Sequence, residues 1–96
     1  MNGVNNEESY HKIDYLDIAI LDCIYNNETT VMSKIIKSLK GMATRQTISK
    51  RIMIMAKIGL FHIIEGTNPI CIKRINNEEP IKRMIINKKT KWGLIQ

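Results

Sequence analysis

A mainly α-helical domain carrying one small β-hairpin, an α+β fold, is what the sequence predicts, on three observations. Apolar residues recur at helical spacing in four separate segments. Two short β-branched runs, "LFHIIEG" and "ICIKRIN", are separated by Thr67-Asn68-Pro69, and with Gly66 these form strong turn chemistry. The chain has 96 residues, no internal repeat and no linker that would divide it, which suits one compact domain.

The first helical segment is "KIDYLDIAILDCIYNN", beginning at about Lys12 after a polar stretch, residues 1–11, that reads as a flexible arm. Ile13, Leu16, Ile20, Cys23 and Ile24 recur at helical spacing, Asp14 and Asp17 sit where the helix dipole favours acids, and Asn26-Asn27 is a natural stop. Tyr10, Ile18, Leu21 and Tyr25 make a second apolar stripe beside the first. A surface helix of a small domain usually needs one buried face. The second stripe therefore packs either on the C-terminal segment or on another copy of the chain. The following "ETT" is too short for an independent strand but long enough to add a few pairs at a sheet edge.

In "VMSKIIKSLK", Met32, Ile35, Ile36 and Leu39 share a face and Lys34, Lys37, Ser38 and Lys40 point outward. Gly41 is the expected stop, as a residue able to take a positive φ, and Thr44 the expected cap of the next helix. So short a connection is that of two helices joined by a turn. The third helix, residues 44–58, carries Ile48, Ile52 and Met55 on one face. Gln46, Lys50, Met53 and Lys57 lie on the opposite face, with Ser49 on its flank. After the hairpin, "NNEEPIKRMIINKKTKWGLIQ" restarts a helix, with Asn77 as the expected cap and Pro80 tolerated in the first turn. Ile81, Met84, Ile85 and Trp92 form its apolar stripe.

Charge is distributed unevenly along this order. The formal net charge is +6, yet residues 1–30 hold six acids against the single base Lys12. The remaining fourteen bases face only Glu65, Glu78 and Glu79. Such asymmetry points to a polyanionic partner for the later part of the chain. No segment approaches the roughly 20 apolar residues of a membrane span, and the N-terminus lacks the apolar run of a signal peptide. A cytoplasmic location follows as the expectation. Cys23 and Cys71 could form one disulfide, but both lie among isoleucines and suit two buried, reduced thiols better.

Signs of catalysis are sparse, and no enzyme, cofactor, metal or small-molecule ligand is expected. The five glycines are isolated, so no phosphate-binding loop can be read. His11 and His62 have no metal-ligand spacing. His62 alternates with Ile63 and is expected to face solvent or a partner, whereas Cys71 is expected as a small core residue.

The element order, with "LDIAILDCI", the turn "LKGMA", the helix start "TRQTISKRI" and the strand entry "MAKIGLFHII", resembles the winged helix-turn-helix family of bacterial and archaeal transcription regulators. The likeness covers about residues 12–76, a three-helix core with a wing hairpin. Residues 77–96 are similar to the extra C-terminal helix that follows the wing in some archaeal members and helps them dimerise. The turn before the third helix is one residue longer than the commonest form, and the tip "GTNP" carries no base.

The resemblance implies sequence-selective binding of double-stranded DNA by a small transcription regulator, with helix 44–58 in the major groove. Base readout would fall to Thr44, Arg45, Gln46, Ser49, Lys50 and Met53: Gln suits adenine, Arg or Lys guanine, and Met a thymine methyl. Lys34, Lys37, Thr47, Lys57, Lys73 and Arg74 are candidates for phosphates, which tolerate looser placement. A homodimer would use Ile18, Leu21, Tyr25, Met84 and Ile85. Two alternatives stay open: a winged-helix protein-docking module that reads no DNA, and a non-specific, chromatin-like DNA binder.

Overall fold

The computed structural model describes residues 12–94; the expected N-terminal arm, with Tyr10 and His11, lies outside the described residues. Four helices and one antiparallel hairpin run in the order α1 (Tyr15–Tyr25), α2 (Met32–Ser38), α3 (Arg45–Lys57), β1 (His62–Ile64), β2 (Cys71–Lys73) and α4 (Glu79–Lys91). Among the described residues no helix is long and apolar enough to cross a membrane.

α1 starts at Tyr15 rather than near Lys12 because Asp14 caps it. The Asp14 carboxylate accepts the Asp17 N–H at 3.1 Å, and the Asp17 carboxylate accepts the Asp14 N–H at 3.2 Å. This reciprocal box satisfies two otherwise orphaned donors. The helix is apolar on nearly every side and buried on nearly every side, as an all-round apolar helix must be. Ile20, Leu21 and Ile24 are sealed within the core. The second stripe, Ile18, Leu21 and Tyr25, is therefore interior to this one chain, and so is Ile85 of α4. These four residues, expected at a dimer interface, are core: α4 folds back over α1 and takes the place a second copy would have filled. Met84 alone of the five keeps part of its surface.

Tyr25 ties the distant parts of the chain together at the end of α1. Its hydroxyl donates to the Leu60 carbonyl at 2.6 Å and accepts the Ile75 N–H at 3.3 Å. The entry to β1 and the exit from β2 are thus fastened to one phenol, whose pKa is raised mainly by burial.

The "ETT" segment forms no strand, and the few edge pairs expected of it reduce to one backbone bond at Thr30 beside an isolated bridge at Val31. Val31 bridges Cys71, the Met32 N–H donates to the Ile70 carbonyl at 3.0 Å, and the Ile72 N–H donates to the Thr30 carbonyl at 2.7 Å. The hairpin register pairs His62 with Lys73, Ile63 with Ile72, and Ile64 with Cys71. Partners opposite one another share a face, so Ile72 and Ile63 pack inward while His62, Lys73, Ile64 and Cys71 form the outer face. Cys71 is accordingly half-exposed, not the core residue its isoleucine neighbours suggested; Cys23 is buried, and burial raises its pKa.

Three helix ends differ from expectation or refine it. Gly41 does not take a positive φ; α2 closes through the Leu39 N–H, which reaches both the Ile35 and Ile36 carbonyls, so no left-handed residue is required. Gly59 does take one, at 95°. There the Leu60 N–H returns to Met55 and the Gly59 N–H to Ala56, the double closure that ends a helix on glycine and turns the chain sharply. At α4 the cap position falls on Glu78, not Asn77, and no side chain caps it. The Glu78 carboxylate is held instead by Arg74 at 3.2 Å and Lys82 at 3.4 Å.

One ion-pair cluster locks α3 to α1. Arg51 places a guanidinium nitrogen 2.7 Å from Asp14 and 3.2 Å from Asp17, whose side chain has no exposed surface. Removing one partner of a buried pair leaves an uncompensated charge. Arg51→Ala is expected to destabilise the protein by about 3 kcal/mol, read as a lowered denaturant midpoint in urea unfolding with an unchanged slope.

Candidate nucleic-acid interface

The helical repeat divides α3 into an inward and an outward side. Ile48, Ile52 and Met55 are fully buried. Half a turn away, Gln46, Lys50, Met53 and Lys57 form a continuous exposed row, Met53 with 53 % of its surface accessible. Arg45 and Ser49 lie on one flank of this row. They line a cleft of about 330 Å³ with Ser33 and Ile36 of α2 and with Asn68 and Pro69 of the hairpin loop. Ser33 and Lys37 are one helical turn apart on α2, so the exposed Lys37 continues the same edge.

Thr44 performs a local task. Its hydroxyl accepts the Thr47 N–H at 3.2 Å and donates to the Thr47 hydroxyl at 3.0 Å, which fixes the first turn of α3. Both threonines thereby orient each other, while Arg45 and Gln46 between them stay exposed. Lys34 and Lys73 are exposed, Lys73 on the outer face of the hairpin beside His62. Arg74 differs: its guanidinium is paired with Glu78, four residues on. It is thus partly neutralised, and as a phosphate ligand it would first have to exchange that partner.

Electrostatics set this side of the molecule apart. Between Glu28 and Glu65 the sequence has no acidic residue and seven bases. Of those seven only Arg51 is ion-paired among the described residues. The acids of α1 are engaged within the fold: Asp14 and Asp17 by Arg51, and Asp22 by Lys89 of α4 at 2.8 Å. Lys34, Lys37, Lys40, Arg45, Lys50 and Lys57 are left facing solvent without counter-charges. Among the described residues no group of three His, Cys, Asp or Glu side chains converges as a metal site.

Sequence reasoning missed Arg51, although it decides where α3 points. The available signal was its place three residues after Ile48, on the inner flank of a helix whose core partner carries Asp14 and Asp17. It also missed Ser33, whose role at the cleft depends on how α2 crosses α3. No protein-family model, curated protein or solved structure matches this chain.

The Arg51 anchor carries a pH dependence. Partial burial tends to raise the Asp14 pKa, but hydrogen bonds from Arg51 and from the Asp17 N–H, with the guanidinium charge, together hold it below the ordinary value. A carboxyl depressed in the folded state stabilises the fold above its unfolded pKa of about 3.9. That contribution is lost as pH falls through the folded value. Stability should fall below about pH 4, and the fall should be shallower in Asp14→Asn, as measured by urea midpoints across an acid series.

Proposed function

We propose that this chain is a winged helix-turn-helix protein that binds double-stranded DNA with sequence preference and acts as a small transcription regulator. The observation that carries this reading is the unneutralised outward side of α2 and α3, where bare bases and bidentate amide chemistry stand on one helix row. The element order supports it, with the residue before α2 pairing to the returning strand as a third strand would beside a wing. α3 enters the major groove, and its N-terminal half meets the base edges.

Gln46 offers an amide that matches adenine, Lys50 an ammonium that matches guanine, and Met53 an apolar contact for a thymine methyl. Arg45 and Ser49, with Ser33, place a guanidinium and two hydroxyls around a cleft wide enough for a backbone phosphate. Lys34, Lys37, Lys57 and Lys73 add non-specific attraction. No catalytic role is assigned to any of these groups. A two-fold symmetric operator would require a second copy seated elsewhere than on Ile18, Leu21, Tyr25 and Ile85, which the fold already uses.

Gln46→Ala and Lys50→Ala should each weaken the preferred duplex by about 1–3 kcal/mol and relax preference at one position. The measurement is fluorescence anisotropy against a sequence selected from a random pool and against scrambled controls. Equal losses on every sequence would remove the base-reading role. Lys37→Ala should weaken all duplexes alike and reduce the salt slope by about one unit, read from titrations at several salt concentrations.

A further inference from the structure

A second basic surface lies on α4, and its position relative to α3 sets its use. Arg83, Asn87, Lys88 and Lys91 lie with Pro80 and Met84 along one face of α4, bordering a shallow, open groove of about 470 Å³ that no acidic residue lines. The other two bases of the same helix behave differently. Lys82 pairs with Glu78 and Lys89 with Asp22. Neutralisation is thus confined to one flank of α4, and the groove flank is bare. Lys88 sits 5.9 Å over the Trp92 ring, and that ring packs on Tyr15 with centroids 4.3 Å apart. One of the three bases is therefore held over an aromatic pair.

The two basic surfaces sit on different sides of α1. Arg51 of α3 engages α1 at Asp17, and Lys89 of α4 engages it at Asp22. Five residues along a helix correspond to about 140° around its axis. The outward row of α3 and the basic face of α4 are therefore turned to different sides of the molecule.

A second copy of this chain is a poor occupant for the groove. A two-fold contact would set this basic face against its own copy, with no acid lining it to relieve the repulsion. A chain of phosphates is complementary to all three cations and to the Asn87 amide.

We propose that the α4 groove binds the phosphate backbone of a second nucleic-acid segment, so that one molecule bridges two duplexes. The bridging rests on the reading of α3 as the first DNA surface, whereas the groove's own affinity for phosphate does not. The α3 surface selects the site and the α4 groove holds a neighbouring segment without regard to sequence.

The test uses the full chain, one duplex immobilised on beads and a second, fluorescent duplex free in solution, with molecular mass measured by light scattering. Arg83→Glu/Lys91→Glu alters two exposed positions without ion pairs among the described residues and leaves Lys88 on its ring, so folding is expected to be preserved. The wild type should be a monomer that captures the free duplex. The double variant should still bind the immobilised duplex but reduce capture of the free one to the level of bare beads. Capture undiminished in the double variant, or no capture by the wild type, would overturn the proposal. A wild-type dimer that the double substitution splits into monomers would overturn it as well, by making the groove an interface between copies. Lys50→Glu separates the two readings. If it leaves binding to a single duplex unchanged while the double variant abolishes that binding, the α3 reading fails and the groove stands as a phosphate site.

Discussion

The Asp17 carboxylate is withdrawn completely from water, and a lone charge in that position would not be tolerated. It is tolerated because the Asp14 N–H and the Arg51 guanidinium both reach it, while Asp14 closes the other side of the guanidinium. Three requirements meet at this cluster. α1 needs a capped first turn, the buried acid needs a cation, and α3 needs a fixed rotation about its own axis. Turning α3 would withdraw Arg51 from both acids and at the same time bring Gln46 and Lys50 out of the exposed row. The orientation of the outward face is therefore fixed from the inside.

The same economy of charge extends over the whole molecule. Every acid of α1 is satisfied by a base from another helix, one set from α3 and one from α4. The acids of α1 and of its cap are thus consumed at contacts between helices. α2 and α3 themselves contain no acidic residue, so the charge they present is of one sign. The proposed contacts to DNA exploit this surplus of positive charge, which the sequence gathers between Glu28 and Glu65 and of which α1 takes up only Arg51 among the described residues.

Much of the architecture was legible from periodicity and turn chemistry. The four helices and the hairpin follow from spacing that a 3.6-residue or two-residue repeat enforces, and the Thr44 cap from its hydroxyl at a helix start. The rest depended on tertiary choices that spacing cannot register. Ile18, Leu21 and Tyr25 announce an apolar face but do not say whether α4 or another molecule covers it. Cys71 looks interior among isoleucines until the register assigns the inward position to Ile72. Gly41 and Asn77 are residues suited to ending and starting helices, yet α2 closes through backbone bonds at Leu39 and α4 starts at Glu78 with no side-chain cap. At the candidate site, the row Gln46, Lys50, Met53 and Lys57 was readable from the helical repeat. The partnership of Arg74 with Glu78, the mutual bond of Thr44 and Thr47, and the cleft containing Ser33 required coordinates.

α2 has no side-chain cap, and its first amide hydrogen is instead donated to the Ile70 carbonyl across the hairpin loop. Its helical start thus rests on strands only three residues long, joined to Val31 by a single bridge. Short strands with one open face stand at the low end of local stability. The amides of Met32 and Ile72 should consequently lose protection from hydrogen exchange together, in one sub-global opening, while those of Ile20 and Leu21 in α1 exchange only when the whole domain unfolds. On this expectation the hairpin and the start of α2 open as one unit, weaker than the helical core.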